Sequence, residues 1–336
     1  MGGGLVFLGC YTPESGGGRG AGVVAARWEP ATGALDLIGV VAETPSPSFL
    51  ARHPALPVLY AVNELPEGRV SAWAIGAGGS LAPLGSRSTG GGSPCHLAVS
   101  PDGRYLLSAN YASGSVAVHA LDANGVPGER TALVQHRGAG PMGERQEGPH
   151  AHMVRPEVER VLAVDLGADR IFRYRLTEVG DLEPGVEARF RGGTGPRHLA
   201  RHPDGRYFLA CELDGTLAAL GTDLAFRQHV PGGERRGQPS ELVVGLDGRF
   251  LYLANRGPDT VAVFDITGAV PRRVAEVSSC GSSPRHLAIA GGYLYVANER
   301  SDQVIVFRLD PVTGVPEPVG VHETASPTCV LLGETS

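Results

Sequence analysis

Short stretches in which apolar and polar residues alternate recur along the whole chain, as in SVAVHAL at 115–121, TVAVFDI at 260–266 and QVIVFRL at 303–309. A period of two residues is typical of β-strands with one buried face. A second kind of stretch is more continuously apolar and ends in a polar residue, as in YLLSAN at 105–110 and FLYLAN at 250–255. No segment shows a convincing helical period, so the pattern predicts an all-β protein.

The strands form a repeat whose most regular feature is a proline that precedes an apolar run and, in six of seven copies, follows a serine or a glycine. Seven such anchor prolines occur at spacings of 43 to 55 residues: Pro47, Pro94, Pro149, Pro196, Pro239, Pro284 and Pro327. Each copy continues through an apolar strand, a turn, a second apolar strand, a polar loop, an alternating strand and a more polar fourth strand. Three of the turns contain Asp-Gly (SPDGR, HPDGR and GLDGR), a pair that favours tight hairpins. The polar fourth strand suits an outer edge that must not pair with other chains.

Seven copies of four strands predict a seven-bladed β-propeller with four-stranded antiparallel blades, formed by a single domain over residues 1–336. The last copy contains only its first strand, from Pro327 to Leu332, before the chain ends. The runs LVFLGCY, AGVVAARW and ALDLIGVV at the N-terminus supply the three missing strands. We therefore expect the last blade to be closed by both termini. An open pair of β-sandwiches is the alternative arrangement.

In an antiparallel blade, the first strand begins at the edge where the second strand ends. The residue after each anchor proline and the residue that ends the second strand should therefore meet at one rim, around the mouth of the central channel. The first set comprises Ser48, Cys95, His150, Arg197, Ser240, Arg285 and Thr328. The second set comprises Tyr11, Asn63, Glu64, Asn110, Asp165, Glu212, Asn255, Arg256, Asn298 and Glu299.

Cationic residues occupy the position after the anchor proline in only three copies, as His150, Arg197 and Arg285. Neutral Ser or Thr would meet the needs of the scaffold, and the planar guanidinium suits a carboxylate or a phosphate. The pattern therefore predicts an acidic small-molecule ligand, with Arg256 on the same rim as a further binding residue. The alternative is that each arginine pairs with a carboxylate of its own blade, for instance Arg285 with Glu299.

The longest segment between copies, VQHRGAGPMGERQEG at 134–148, precedes His150 and His152. A glycine-rich loop of this length is expected to fold over the channel, where Arg145 and Gln146 would contact the substrate. His150 or His152 is then a candidate acid–base group. Two histidines at i and i+2 also fit a zinc site, although no third ligand is evident.

Glu212 is the candidate general base, because it ends a second strand in the copy that contains Arg197. Burial would raise the pKa of such a glutamate toward neutrality, whereas a nearby arginine would oppose that shift. The adjacent Cys211 is an alternative nucleophile, but the repeat places no histidine beside it. His198 and His286, two residues after their anchor prolines, are expected to be structural.

The composition narrows the possible functions. The chain has 336 residues, a net charge of -6 and 29 basic residues, all of them arginine. A lysine Schiff base, a lysine general base and a Walker-type phosphate loop are therefore excluded, and the negative charge argues against a nucleic-acid partner.

Five widely spaced cysteines without a CxxC motif favour a reducing cytoplasm. No apolar run is long enough to span a membrane, so no membrane partner is expected.

Phrases along nearly the whole chain resemble the seven-bladed lactonase family, which includes propeller-type 6-phosphogluconolactonases and carboxymuconate cyclases. The matching phrases include FLGCYT, SPSFLARHP, PCHLAVSPDGRYLLSANY, ERQEGPHAH, GPRHLARHPDGRY, ANRGPDTVAVF and VANERSDQVIVFRLDPVTG. The resemblance implies active-site roles for a histidine of the PHAH phrase, the arginines of the two PRH phrases and a strand-ending glutamate. These residues are His150 or His152, Arg197, Arg285 and Glu212. The family commonly has asparagine where this chain has Cys211, which leaves the direction of Glu212 open.

The favoured function is hydrolysis of a phosphorylated or carboxylated sugar lactone, most simply 6-phosphogluconolactone, with no metal and no cofactor. The same groups would also serve a cycloisomerase that opens or closes a lactone by proton transfer. A non-catalytic binding module and a metal-dependent gluconolactonase-like propeller are two further hypotheses. The sequence does not indicate an oligomeric state.

Overall fold

The computed structural model of the chain describes residues 4–333, and its regular secondary structure is almost entirely β-strand. Strands β1 to β11 are Leu5–Cys10, Gly22–Trp28, Leu35–Glu43, Leu50–Arg52, Val58–Asn63, Arg69–Ile75, Leu81–Ser88, Pro94–Val99, Tyr105–Asn110, Ser115–Leu121 and Pro127–Gln135. Strands β12 to β20 are Ala151–Pro156, Val161–Asp165, Arg170–Leu176, Leu182–Pro184, Ala188–Arg189, Pro196–Arg201, Tyr207–Cys211, Thr216–Leu220 and Phe226–Pro231. Strands β21 to β29 are Gln238–Val244, Phe250–Arg256, Thr260–Asp265, Arg272–Ser278, Pro284–Ala290, Tyr293–Asn298, Gln303–Leu309, Pro316–Glu323 and Pro327–Leu332.

Helical structure within residues 4–333 is limited to four 3₁₀ turns, at Pro13–Ser15, Ala77–Gly79, Gly143–Arg145 and Glu299–Ser301. In this part of the chain, no helix has both the length and the apolar character needed to cross a membrane.

Each predicted copy forms one antiparallel sheet. Sheets 1 to 6 begin at strands β4, β8, β12, β17, β21 and β25 and follow chain order, whereas sheet 7 has the order β29-β1-β2-β3. In sheet 7, Phe7 of β1 pairs with Leu331 of β29, so the two ends of the chain are joined in one sheet as predicted. The outer strand of sheet 3 is broken into β15 and β16, both of which pair with β14. The other six sheets have four strands.

The described chain divides into two compact units. Unit 1 contains the residues up to Cys10, Val24–Val40 and the residues from Arg197 onward, and unit 2 contains Tyr11–Val23 and Val41–Pro196. The prediction of a single domain over residues 1–336 stays a prediction, and its two ends lie outside the described residues.

Each unit has its own core, in which buried tyrosines of the second strands recur. In unit 2, the Tyr60 hydroxyl donates a hydrogen bond to the Gly125 carbonyl over 2.6 Å. In unit 1, Tyr252 and Tyr295 make the same contact with Gly314 and Gly33, at 2.9 and 2.8 Å. Because a buried phenol must find an acceptor, these bonds fix the turn between the third and fourth strands of a neighbouring sheet.

The strand register confirms which ends of the strands meet. Pro94 lies opposite Asn110, Pro239 opposite Asn255, and Pro284 opposite Asn298. The residue after an anchor proline and the residue that ends the second strand therefore lie together within a sheet. This is the arrangement that brings the functional side chains of each sheet into reach of one another.

Candidate functional site

The strand-ending asparagines are structural residues that fix the residue following them. In unit 1, the Asn255 side chain donates to the Gly232 carbonyl over 2.9 Å, and Asn298 donates to Ser279 over 2.9 Å. Both asparagines are buried. The next residue in each sheet, Arg256 or Glu299, is the one that projects from this edge and forms ion pairs.

In sheet 4, Cys211 takes the place of the asparagine and is fully buried, with its thiol 3.6 Å from the Leu209 carbonyl. Cys211, Asn255 and Asn298 each pair with the first residue of the next strand in their sheet. Glu212 therefore has the same position in its sheet as Arg256 and Glu299, despite the change at the preceding residue. The burial of Cys211 gives no support to its alternative role as a nucleophile.

Glu212 lies between two guanidinium groups of unit 1. One oxygen of its carboxylate, Oε2, is 3.1 Å from Arg197 Nε and 2.8 Å from Arg256 Nη2. The side chains of Arg197 and Glu212 are 3% and 4% exposed, and that of Arg256 is 16% exposed. The structure thus brings together three of the predicted site residues in a buried cluster, of which Arg256 is the most exposed member.

The electrostatics of this cluster are dominated by burial. Burial, reinforced by the positive charge of Arg256 and opposed by Glu212, lowers the pKa of Arg197 to about 10. Arg197 therefore keeps its charge at neutral pH. Two guanidinium groups within ion-pair distance stabilise the ionised form of Glu212.

Arg285 lies in the same unit and is also partly exposed. Its Nη1 is 3.4 Å from Glu299 Oε2. This is the pairing within one sheet that was the sequence-based alternative to ligand binding. Both side chains keep exposed surface, 16% for Arg285 and 20% for Glu299. The Arg285 side chain is therefore partly accessible to a ligand while it is paired with Glu299.

Glu241 is a buried acidic residue that the sequence analysis did not identify. Its Oε2 accepts a hydrogen bond from His198 Nδ1 over 2.8 Å and lies 3.6 Å from His286 Nε2. Burial raises the pKa of Glu241. Burial also holds the pKa of His198 well below its usual value and lowers that of His286 to about 4, so both imidazoles are neutral at pH 7. The sequence signal that could have identified Glu241 is that copy five has a glutamate at the position where copies four and six have histidine.

In unit 2, His150 is held on three sides. Its backbone N–H donates to Asp165 Oδ1 over 2.8 Å, and its ring stacks on Tyr111 with centroids 4.5 Å apart. Nδ1 lies 3.0 Å from the Tyr111 carbonyl, which can only accept, so Nδ1 carries a proton. Nε2 is 3.2 Å from the exposed carboxylate of Glu147.

His152 lies edge-on to the same Tyr111 ring, with centroids 5.6 Å apart, and is buried. Within residues 4–333, no group of three or more His, Cys, Asp or Glu side chains is arranged to hold a metal ion. The alternative of a zinc site at His150 and His152 therefore gains no support.

The long loop before His150 differs from the expectation at Gln146. Gln146 is fully buried; its Nε2 donates to the Leu166 carbonyl over 2.8 Å and its Oε1 accepts from the Met142 N–H over 3.3 Å. This position in the interior of the loop gives no support to substrate binding. Arg145 is partly buried, with Nη2 3.4 Å from the Tyr111 hydroxyl.

A buried contact between a histidine and an aspartate near the start of the same loop was also not predicted from the sequence. His136 Nδ1 is 2.7 Å from Asp165 Oδ2, and both side chains are fully buried. The other oxygen of Asp165 accepts the backbone N–H groups of His150 and Ala168, each over 2.8 Å. Asp165, which the sequence placed at the rim, therefore connects His136 near the start of the loop to His150 just after its end.

Comparison with known proteins places these observations in a family. The model of the family described as lactonase, 7-bladed beta-propeller, matches residues 5–332. The 6-phosphogluconolactonase of Bacillus subtilis is 32% identical over 326 residues, which are 92% of either chain. The 6-phosphogluconolactonase of Formosa agariphila is 27% identical, with 92% of this chain and 93% of that protein covered. The solved structure of a periplasmic gluconolactonase from Pseudomonas aeruginosa superposes with a TM-score of 0.90, 30% identity and 98% of either chain covered.

These likenesses extend over nearly the whole chain and agree with its seven antiparallel sheets. They confirm the predicted fold class, a seven-bladed β-propeller whose last blade is closed by both ends of the chain. They also confirm, at the level of the family, the prediction of a lactonase. The chain belongs to the seven-bladed β-propeller lactonase family.

Proposed function

We propose that the chain hydrolyses an anionic sugar lactone, most simply 6-phosphogluconolactone, by general acid–base catalysis without a metal ion. The observation that carries this proposal is the cluster of Arg197, Glu212 and Arg256, in which a buried carboxylate is held between two guanidinium groups. The two curated relatives named 6-phosphogluconolactonase support the choice of substrate.

In the proposed reaction, Arg256 and Arg285 bind the phosphate or carboxylate of the substrate, because the side chains of both are partly exposed, 16% each. Arg197, which is almost fully buried, stays charged and stabilises the negative charge that develops on the lactone carbonyl oxygen. An excess of arginine over carboxylate in this cluster also disfavours a bound cation, which is why we propose a reaction that needs no metal.

Glu212 is the proposed base that accepts a proton from the attacking water. With two guanidinium groups at one oxygen, the carboxylate is a weak base in the unliganded protein. A bound phosphate would draw part of the Arg256 charge away and so strengthen Glu212 as a base. Substrate binding and activation of water would then be linked through Arg256.

The role of His150 or His152 as the second acid–base group stays a prediction from the sequence. For His150, its own surroundings support this role: one nitrogen carries a proton toward the Tyr111 carbonyl, and the other faces the Glu147 carboxylate.

We also propose a cytoplasmic location, which agrees with the finding that the five cysteines form no disulfide bond within residues 4–333. Cell fractionation tests the location, since a relative of similar fold is described as periplasmic.

The test of the function is proton release after addition of 6-phosphogluconolactone, with spontaneous hydrolysis subtracted. Wild type should release protons well above the background, and Arg256→Ala should lower kcat/KM because it removes a substrate contact. Arg272→Ala is the matched control, since it removes an arginine that is 72% exposed and paired with Asp265 at 2.9 Å. Equal rates for wild type and Arg256→Ala would refute the proposed site. Conversion of the lactone to an isomer without proton release would favour a cycloisomerase.

A further inference from the structure

The inner strands of three successive sheets begin with related phrases. Strands β17 and β25 begin with Pro-Arg-His, at 196–198 and 284–286, and the strand between them in chain order, β21, contains Pro-Ser-Glu at 239–241. These strands belong to different sheets, so no ladder of backbone hydrogen bonds fixes their spacing. Side-chain contacts must set the distance between the two arginines instead.

Ser240 makes one such contact in each direction. Its backbone carbonyl accepts a hydrogen bond from Arg197 Nη1 over 2.7 Å. Its hydroxyl donates to the Pro284 carbonyl over 2.6 Å, whereas the other acceptor in reach, the Ala254 carbonyl, is 3.4 Å away. Ser240 is fully buried. One residue thus connects the guanidinium of Arg197 to the peptide group that leads into Arg285.

Glu241 repeats this connection one residue further along the strand. Its Oε1 accepts the Leu242 N–H over 3.0 Å, and its Oε2 accepts the Nδ1 proton of His198 over 2.8 Å. His286 Nδ1 accepts the Val330 N–H over 3.3 Å, so its own proton is on Nε2, which faces Glu241 Oε2 at 3.6 Å. The two histidines that directly follow Arg197 and Arg285 are therefore aligned on one carboxylate.

We propose that Ser240 and Glu241 are positioning residues, which set the separation of the Arg197 and Arg285 guanidinium groups for one anionic substrate. The proposal rests on the proposed function, in which these arginines bind the substrate and stabilise its transition state. Small displacements of binding groups reduce affinity and rate strongly, because both depend on geometry. The four copies outside these three sheets have no arginine after the anchor proline, and none of them has a glutamate at the following position.

The experiment compares Ser240→Ala with Ser48→Ala. Ser48 has the same place after its anchor proline in sheet 1 and is also buried, but within residues 4–333 its hydroxyl has no hydrogen-bond partner. For 6-phosphogluconolactone, Ser240→Ala should raise KM about fivefold, the effect of losing the one hydrogen bond that places Arg285. It should change kcat much less, because alanine keeps the backbone carbonyl that holds Arg197. Ser48→Ala should leave both constants unchanged.

Two further variants separate positioning from a general loss of stability. Ser240→Thr keeps the hydroxyl and should restore the KM of wild type, since the equivalent Thr328 is buried and donates to the Gly9 carbonyl over 3.0 Å. Glu241→Gln removes the charge that both histidines face and should also raise KM. The Ser240 variants decide the question if Glu241→Gln does not fold.

Binding of inorganic phosphate, measured by calorimetry, distinguishes failure of this proposal from failure of the proposed function. If wild type shows no lactonase activity but Ser240→Ala weakens phosphate binding relative to Ser48→Ala, the positioning role stands and the function falls. If wild type is an active lactonase and the two alanine variants have equal KM and equal phosphate affinity, the positioning role is overturned. It is also overturned if Ser240→Thr fails to restore KM, or if wild type binds neither ligand.

Discussion

Replacement of Glu212 by glutamine removes the charge at the centre of the arginine cluster while keeping the size of the side chain. In the wild type, the carboxylate is 3.1 Å from Arg197 and 2.8 Å from Arg256, and it is 4% exposed. Loss of one partner of a buried ion pair costs about 3–5 kcal/mol. Because glutamine keeps an acceptor oxygen and Arg256 is partly solvated, we expect a loss of about 3 kcal/mol, at the low end of that range.

The free energy of unfolding in urea measures this effect. Asp265→Asn is the matched control, because it weakens a pair with Arg272, whose side chain is 72% exposed, and should cost about 0–1 kcal/mol. As Glu212 is also the proposed base, Glu212→Gln should lower kcat by roughly 10²- to 10⁴-fold under conditions where the variant is folded. A Glu212→Gln protein with the stability and the kcat of wild type would refute both the electrostatic and the catalytic reasoning.

Three further predictions concern pH, metal ions and the histidines. The pKa of His286 is lowered from 6.5 to about 4 in the folded protein. Between these pH values the unfolded chain therefore binds more protons than the folded one. The free energy of unfolding should fall as the pH drops through this window, by at most about 3 kcal/mol. Glu241, whose pKa is raised, offsets part of this loss of stability. The urea midpoints at pH 7 and pH 5 should differ less for His286→Gln than for wild type. Equal differences in the two proteins would contradict a lowered pKa of His286. Proton release from the lactone should persist after dialysis against EDTA, and loss of activity that added metal restores would contradict a metal-independent reaction. His150→Asn and His152→Asn should differ in kcat if only one histidine acts on the substrate, and unchanged kcat in both would remove both from the reaction.

The sequence was sufficient to predict the fold because the physical signals of the fold are local and repeated. Asp-Gly turns, alternating strands and the prolines that begin the inner strands recur in copy after copy. The glycines of the three Asp-Gly turns all have positive φ, between 72° and 93°. The closure of sheet 7 also followed from a simple count of strands at the two ends.

The contacts of the site could be predicted only in part. Register places Arg197 and Glu212 at the same edge of sheet 4, so their proximity followed from the repeat. The bridging role of Ser240 and Glu241 depends on contacts between sheets, which have no period in the sequence. Gln146 was expected to contact the substrate because its loop is long and rich in glycine, but the loop folds so that the amide satisfies buried backbone groups.

The most direct test of the central claim compares a charged lactone with an uncharged one. The measurement is the ratio of kcat/KM for 6-phosphogluconolactone to that for glucono-δ-lactone, in wild type and in the Arg256→Ala/Arg285→Ala double variant. We expect a strong preference of wild type for the phosphorylated lactone and loss of most of that preference in the double variant. Equal kcat/KM for the two lactones in wild type, or a preference that survives in the double variant, would contradict a site built to bind an anion through these arginines.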